Sequence, residues 1–295
     1  MDTPTNRPRV LLLAVALVAL ALPATGVPGI QHIDTAVLPT IDGNLSDWSA
    51  IPSRPLAQSW FTSTVGAVTG AVPLADQQVE VWLGWNDDTD LIYLAARVRD
   101  DVYGVASPGE PLSVFQGDNI EVFIDADDSG GYYGADDAHA QQYGLSASGT
   151  LGAVLAPLMM TQPPLVQAAV VRLGNTYSYE MAIPGWNLIN PDGTGTRHDF
   201  RRNQTIGLAV AFADFESAAA AAEWDYHAYN GLNGLEGAYQ DADQFTQFRL
   251  VKSGLVVSAN RAGGRAAGRA AKPLVEAVSW GQLKDLAAGA IGPDD

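Results

Sequence analysis

Asp125-x-Asp127-x-Ser129-Gly130, followed by Asp136, has the residue types and spacing of an oxygen-donor calcium loop. Carboxylate and hydroxyl oxygens would ligate the ion, and the glycine would make the sharp turn. A strand rather than a helix precedes the loop, and its last position is Asp where Glu is usual. The same residues therefore also read as a polar strand-to-strand loop. A second candidate metal group is Asp42, Asp47, Asp100 and Asp101, provided the fold gathers them.

Upstream of the loop, Phe115 to Asp125 is an aromatic, a turn and a strand with two unlike faces. Ile120, Val122 and Ile124 fall on one face at period two; Glu121, Phe123 and Asp125 fall on the other. The aliphatic face belongs in a core. The face with the carboxylate and ring suits a surface open to a ligand or covered by loops. Flat aromatic rings can stack on the C–H groups of a sugar while polar side chains fix its hydroxyls. Phe115 and Trp224 sit in loops beside strands, where such platforms occur. Trp82, Trp85, Tyr132, Tyr133 and Tyr143 are further aromatic candidates, although Trp48 and Trp85 read as core.

Catalysis finds less support. The chain has no G-x-S-x-G elbow, no H-E-x-x-H and no Walker loop. His32, His139, His198 and His227 are scattered without ligand-like spacing and read as surface or loop residues. Paired carboxylates could serve glycoside hydrolysis, but most sit in runs with Gly, Asn and Ser, the chemistry of turns. The expectation is a protein that is not an enzyme.

Composition narrows the classes further. The 295 residues carry a formal net charge of −17, which excludes the basic footprint that nucleic-acid binding needs. The absence of cysteine excludes disulfides, thiolate metal sites and thiol catalysis. At the N-terminus, Arg7 and Arg9 precede an apolar run, Val10 to Leu22, with small residues at Ala24 and Gly26. That pattern reads as a signal peptide over residues 1–26; the run is shorter than the ~20 residues a spanning helix needs. The expected location is secreted, periplasmic or at the cell surface, with no membrane span left after cleavage.

Alternating segments predict strands at Val79–Trp85 and Leu91–Arg99, a hairpin, then at Phe115–Asp125 and Gln141–Ser148. Further strands are expected at Leu165–Leu173, Thr176–Ile183, Ile206–Asp214 and Phe245–Val251, with Asn187–Gln204 as a long polar loop. Short strands, turn clusters and little helical periodicity indicate an all-β, antiparallel β-sandwich of jelly-roll type over residues 31–255. A low-complexity basic linker (256–272) follows, then a short helical tail (273–295) that could dock on a protein partner.

Several blocks of the chain resemble family 9 carbohydrate-binding modules and their DOMON-like relatives. They are Ile41-Asp42-Gly43 with Asp47-Trp48, Trp85 with Leu91 to Ala95 and Asp100, and Gly117 to Asp125. Tyr132-Tyr133 with Asp136-Asp137-Ala138, Tyr177 to Pro184, and Ile206-Gly207-Leu208 continue the series in order. The resemblance runs from about Ile41 to Val251, and its central block is the most specific. It implies a β-sandwich that binds the ends of glucan- or xylan-type chains, with structural calcium. In such modules two tryptophans clamp a sugar, and their positions fall at Phe115 and Trp224 here. Glu121 would contact sugar hydroxyls; a family arginine falls near Gln141, and an asparagine falls at Tyr143. Other relatives of this fold bind haem through Met, His or Lys, an alternative that Met159, Met160 and Met181 keep open. A second alternative is a structural cell-surface protein with a docking tail.

Overall fold

The computed structural model describes residues 27–252, apart from 52–54, 111–112, 135–136, 154–162 and 236. The expected signal peptide, basic linker and tail helix lie outside the described residues, as do Asp136, Met159 and Met160. The strands in chain order begin with β1 (Gly29–His32), β2 (Phe61–Ser63), β3 (Gln77–Asn86), β4 (Leu91–Asp100) and β5 (Asn119–Asp125). They continue with β6 (Gln141–Ser146), β7 (Leu151–Ala153), β8 (Gln167–Leu173), β9 (Thr176–Pro184) and β10 (Trp186–Ile189). The last four are β11 (Gly195–Arg197), β12 (Thr205–Asp214), β13 (Ala228–Leu232) and β14 (Thr246–Val251). One short helix, α1 (Ala218–Ala222), follows β12, and its N-cap Ser217 accepts from the amide of Ala220.

Strands order as β7-β6-β5-β12-β14-β1-β3-β4-β9-β8, with β13 and β2 branching from β12. The path folds back on itself as a β-sandwich. Ile120, Val122 and Ile124 of β5 share one core with Val79, Val81 and Leu83 of β3 and with Leu94 of β4 and Met181 of β9. Inward residues recur at period two along these strands, as the pleat requires. Trp85 is fully buried in this core, and Trp48 in a smaller one beneath β4.

Two features depart from the sequence reading. The ladders are antiparallel except at β1, which runs parallel to both β14 and β3 and so joins the two layers. The segment Asn187–Gln204, expected as a polar loop, contains the small antiparallel hairpin β10–β11. Its strands are too short and too polar to show alternation in the sequence.

The β3–β4 hairpin turns at Asn86, whose side-chain oxygen accepts from the amides of Asp88 and Thr89, with Asp90 left-handed at φ 53°. The N-terminal Ile-Asp-Gly…Asp-Trp block is also structural. Glu180 on β9 accepts hydrogen bonds from the amides of Asp42 and Gly43 and from Nε1 of Trp48, clasping the segment to the outer face of the sheet. Asp42 and Asp47 are thereby held near Glu180, not with Asp100 and Asp101. Removing the carboxylate strands three donors, two of them in buried bonds. Glu180→Ala is expected to lower stability by about 3 kcal/mol. Urea denaturation checks this as a lower midpoint at unchanged slope; a midpoint equal to wild type contradicts it.

Candidate functional site

The central block builds the site by tying loops to the start of β5. Asn119 donates its Nδ2 to the carbonyls of Val114 and Gly117, fixing the turn that carries Phe115. Asp118 accepts from the amide of Gly104 through one carboxylate oxygen and from that of Phe215 through the other, at 2.7 and 2.9 Å. Gly117 is required because a Cβ there would stand 2.9 Å from the carbonyl oxygen of Gly104 and from the Cα of Val105. One triplet therefore holds the 104–117 loop and the loop after β12 against each other.

Those two loops carry the aromatics. The rings of Phe115 and Trp224 stack with centroids 5.9 Å apart and planes at 23°. Phe115 is buried, whereas Trp224 is half-exposed and holds a left-handed φ of 59° at the end of α1. A sugar ring between two aromatic planes needs van der Waals contact on both faces, roughly 7–8 Å in all. The pair as it stands is closed on itself.

On the outer face of β5, Glu121 is 1 % exposed. Its Oε2 accepts from Nε2 of Gln142 at 2.6 Å and from the hydroxyl of Tyr229 at 2.8 Å. Its Oε1 is buried with no donor, as are Oε1 of Gln142 and the hydroxyl of Tyr226. Burial pushes the Glu121 carboxyl up to about 7 against hydrogen bonding from Tyr229, Gln142 and Asn119, which favours its charge. Three buried polar atoms lacking partners around one carboxylate are rare in native structures. They mark where a polar ligand could complete the bonding.

Gln141 and Tyr143, expected beside Glu121, are not there. The β5–β6 register pairs Glu121 with Gly144 and Phe123 with Gln142, so the even-numbered residues of β6 share the Glu121 face. Tyr143 lies in the sandwich core, and Gln141 donates to the carbonyls of Ala138 and Trp186. The positions fall one residue on, at Gln142 and Gly144, because a shift of one turns a strand over. Gly144 leaves space for Val114, whose Cγ1 would stand 3.1 Å from a Cβ there. The inward spacing of Tyr143, Leu145 and Ala147 already marks Gln142 as outward. Tyr226, before β13, and Tyr229, within it, carried no signal, since β13 is too short to show a period. Among the other aromatics, Tyr133 donates its buried hydroxyl to Ala238, and Trp82 lies under the Arg97 guanidinium.

In the acidic loop, Asp125 accepts from the amides of Ser129 and Gly130 and from the Ser129 hydroxyl, and Asp127 accepts from the Ser129 amide. These bonds brace the turn from within. Groups of three or more acidic or imidazole ligands close enough to share one ion lie elsewhere among the described residues. Asp100, Asp118 and Asp214 each offer an oxygen within 4.8 Å of the others, and all three are buried. Burial raises each carboxyl, aided by the like charges alongside: Asp100 to about 7, Asp118 to about 8 and Asp214 to about 9. A second group, Asp76, Glu216 and His227, adjoins it, with His227 reaching Asp76 at 3.2 Å and Glu216 at 3.4 Å. Met181, a haem-ligand candidate in the sequence, is fully buried between the layers.

Strand order and register together define a β-sandwich, the fold class, with a buried carboxylate at Glu121 on the outer face of its central strand. The model of the family described as "Carbohydrate family 9 binding domain-like" matches residues 47–253, and the chain belongs to that family. Among solved structures, the chain is similar to a family 9 carbohydrate-binding module from Caldicellulosiruptor kristjanssonii in complex with cellotriose. That match has 16 % identity and a TM-score of 0.55, and covers 80 % of this chain and 100 % of the module. A glucose complex of a family 9 module from the same organism aligns with 16 % identity and a TM-score of 0.54, over 79 % of this chain and 98 % of that one. At this identity the likeness shows the fold. No curated protein matches the chain.

The Glu121 carboxyl gives a pH test. A folded-state value raised from 4.5 to about 7 means the folded chain holds its proton more tightly than the unfolded one. Its stabilising contribution is therefore full below 4.5, is lost as pH rises towards 7, and is absent above. Glu121→Gln is expected to exceed wild type by on the order of 3 kcal/mol at pH 8 and to match it at pH 4. Urea melts of both proteins across that range measure the difference; a pH-independent gap contradicts the assignment.

Proposed function

We propose that this protein is an exported, non-catalytic carbohydrate-binding protein that holds a glucan- or xylan-type chain end at Phe115, Glu121, Gln142 and Trp224. The observation that carries the reading is the partnerless Oε1 of Glu121, with Oε1 of Gln142 and the Tyr226 hydroxyl, on the strand whose flanking loop brings Phe115 to Trp224. A sugar hydroxyl both donates and accepts, so one ring can serve a carboxylate oxygen, an amide oxygen and a phenol at once. The rings supply the apolar half of the contact.

Family membership supports this reading, and so do the cellotriose and glucose that related modules hold. The closed ring pair sets the order of events. Trp224, at the half-exposed end of α1, swings outward by about 2 Å to admit the sugar. Phe115, buried and fixed through Asn119, stays as the inner wall. The Glu121 carboxylate, freed of its desolvation burden by the hydroxyls it gains, then binds in its charged form.

Calorimetry of the full-length protein with cellotriose, preceded by a glycan array to cover xylan-type ligands, tests the site. Trp224→Ala is expected to abolish measurable binding while the melting temperature holds, because the ring packs at the surface. Gln142→Ala should weaken binding roughly tenfold, the worth of one hydrogen bond to a charged group, whereas Gln141→Ala leaves affinity unchanged. A folded wild type that binds no glycan, or a Gln141 variant weaker than the Gln142 variant, contradicts the reading. Export rests on Arg7, Arg9 and the Val10–Leu22 run. N-terminal sequencing of the exported protein should begin at Val27, and recovery of the intact N-terminus would refute cleavage.

A further inference from the structure

We infer that the cleft between β10–β11 and the start of β12 binds the carboxylate of an acidic sugar, a uronate by its chemistry. Asn187 and residues 197–199 and 201–204 line a space of about 570 Å³, enough for a small ligand. It lies at the opposite end of the sandwich from the rings of Phe115 and Trp224. The cleft precedes β12 and Trp224 follows it, and Gln204 donates to the carbonyl of Ala126 just past the end of β5. The chain carries a net charge of −17, yet Arg197, Arg201 and Arg202 all line this one cleft. Two of those charges have no carboxylate partner. Arg197, half-buried with its guanidinium 5.3 Å from the Trp186 ring centre, is held by backbone carbonyls. It donates from Nε to Gly185 at 3.3 Å and from a terminal nitrogen to Asp90 at 2.8 Å. Its position is thereby fixed while its charge is not neutralised. Arg202 is exposed and has no hydrogen-bond or ion-pair partner among the described residues. Arg201 alone is paired, with Asp199, on the open surface where such a pair contributes little.

The walls are set before any ligand arrives. Asn203, left-handed at φ 67°, donates its amide to Leu250, and the Leu250 amide returns to the carbonyl of Gln204, pinning the turn to β14. Phe200 is buried beneath, its amide on the Asp90 carboxylate. The amide nitrogen of Gln204 can only donate, so Nε2 of His198 accepts from it. Nδ1–H of His198 then donates to Oδ1 of Asn187 at 2.6 Å, which leaves Nδ2 of Asn187 to donate to a ligand. The lining also selects the ligand. Among the described residues no Trp, Tyr or Phe lines the cleft, so charge rather than stacking must hold what binds there. Planar guanidiniums match a carboxylate through paired N–H bonds, and side-chain amides suit hydroxyls. The net charge of −17 repels polyanions, which favours a ligand with a single negative charge. This cleft stands apart from the site proposed at Glu121, and either can fail alone.

The test follows NMR signals of the full-length, isotope-labelled protein during titration with sodium glucuronate, and with glucose at equal concentration and ionic strength. Glucuronate is expected to shift the amide signals of residues 197–204 saturably, and glucose to leave them in place. Raising sodium chloride about tenfold should weaken the affinity severalfold, as screening requires. Arg197→Gln combined with Arg202→Gln should weaken it by roughly tenfold or more. Equal shifts with glucose, a double variant that binds like wild type, or sodium sulfate bound as tightly as glucuronate each overturn the inference. Shifts confined to the residues around Glu121 also overturn it, by placing the uronate in the other site. Should the double variant fail to fold, Arg202→Gln alone decides, since that side chain has no partner in the fold. It is expected to weaken glucuronate about threefold, and an unchanged affinity overturns the assignment.

Discussion

The carboxylate of Asp118 is the constraint on which the binding face depends. It is buried, it precedes the central strand, and it accepts one amide from each of two loops that are far apart in sequence. A carboxylate accepting backbone N–H groups is a strong and directional junction. Here it sets where the 104–117 segment and the segment after β12 can lie. Everything above the sheet on that side follows: the seat of Phe115, the start of α1, and the approach of Trp224. The junction also concentrates negative charge where the sheet ends, so the same residue that orders the loops creates the electrostatic problem beside them.

The sheet beneath is shaped to accept such a cover. Along β12, Ile206, Leu208, Val210 and Phe212 fill the sandwich core, while Gly207, Ala209, Ala211 and Ala213 face outward. Small outward residues make a shallow trough, and Phe123, Tyr133, Tyr229 and Phe245 lie in it as a second apolar layer. Glu121 is therefore buried by a cover that packs against alanines rather than by the core itself.

Much of the fold was legible because the strands that pack on both layers obey period two over many residues. β3, β4, β5, β9 and β12 each follow the alternation that the sequence displays. The short strands β1, β2, β7, β10, β11 and β13 were not legible, since three to five residues carry too little pattern to distinguish strand from loop. Phe115 and Trp224 were singled out by their chemistry and setting, and their rings do meet. Gln141 and Tyr143 were placed on the wrong face, an error of one residue that strand geometry converts into the thickness of the sheet. The Asp100–Asp118–Asp214 group was invisible as a set because its members sit at the end of β4, just before β5 and at the end of β12, apart in the chain. Glu180 likewise gave no hint that it explains the Asp-Gly and Asp-Trp pairs near the N-terminus. Contacts of that kind depend on topology, not on local pattern.

The parallel strand Gly29–His32 sets the order in which the molecule can be completed. It lies between β14 and β3, so the seam that joins the two layers contains the first and the last strands among the described residues. Pairings between such distant segments form late, because the intervening chain must first be brought together. A ribosome delivering this chain from its N-terminus will have released β3, β4 and β9 as a possible hairpin stack well before β14 emerges. Until then β1 can hydrogen-bond on one side only, and the sandwich stays open along one edge. The newly made chain is thus kept from its final compact state until synthesis passes Val251.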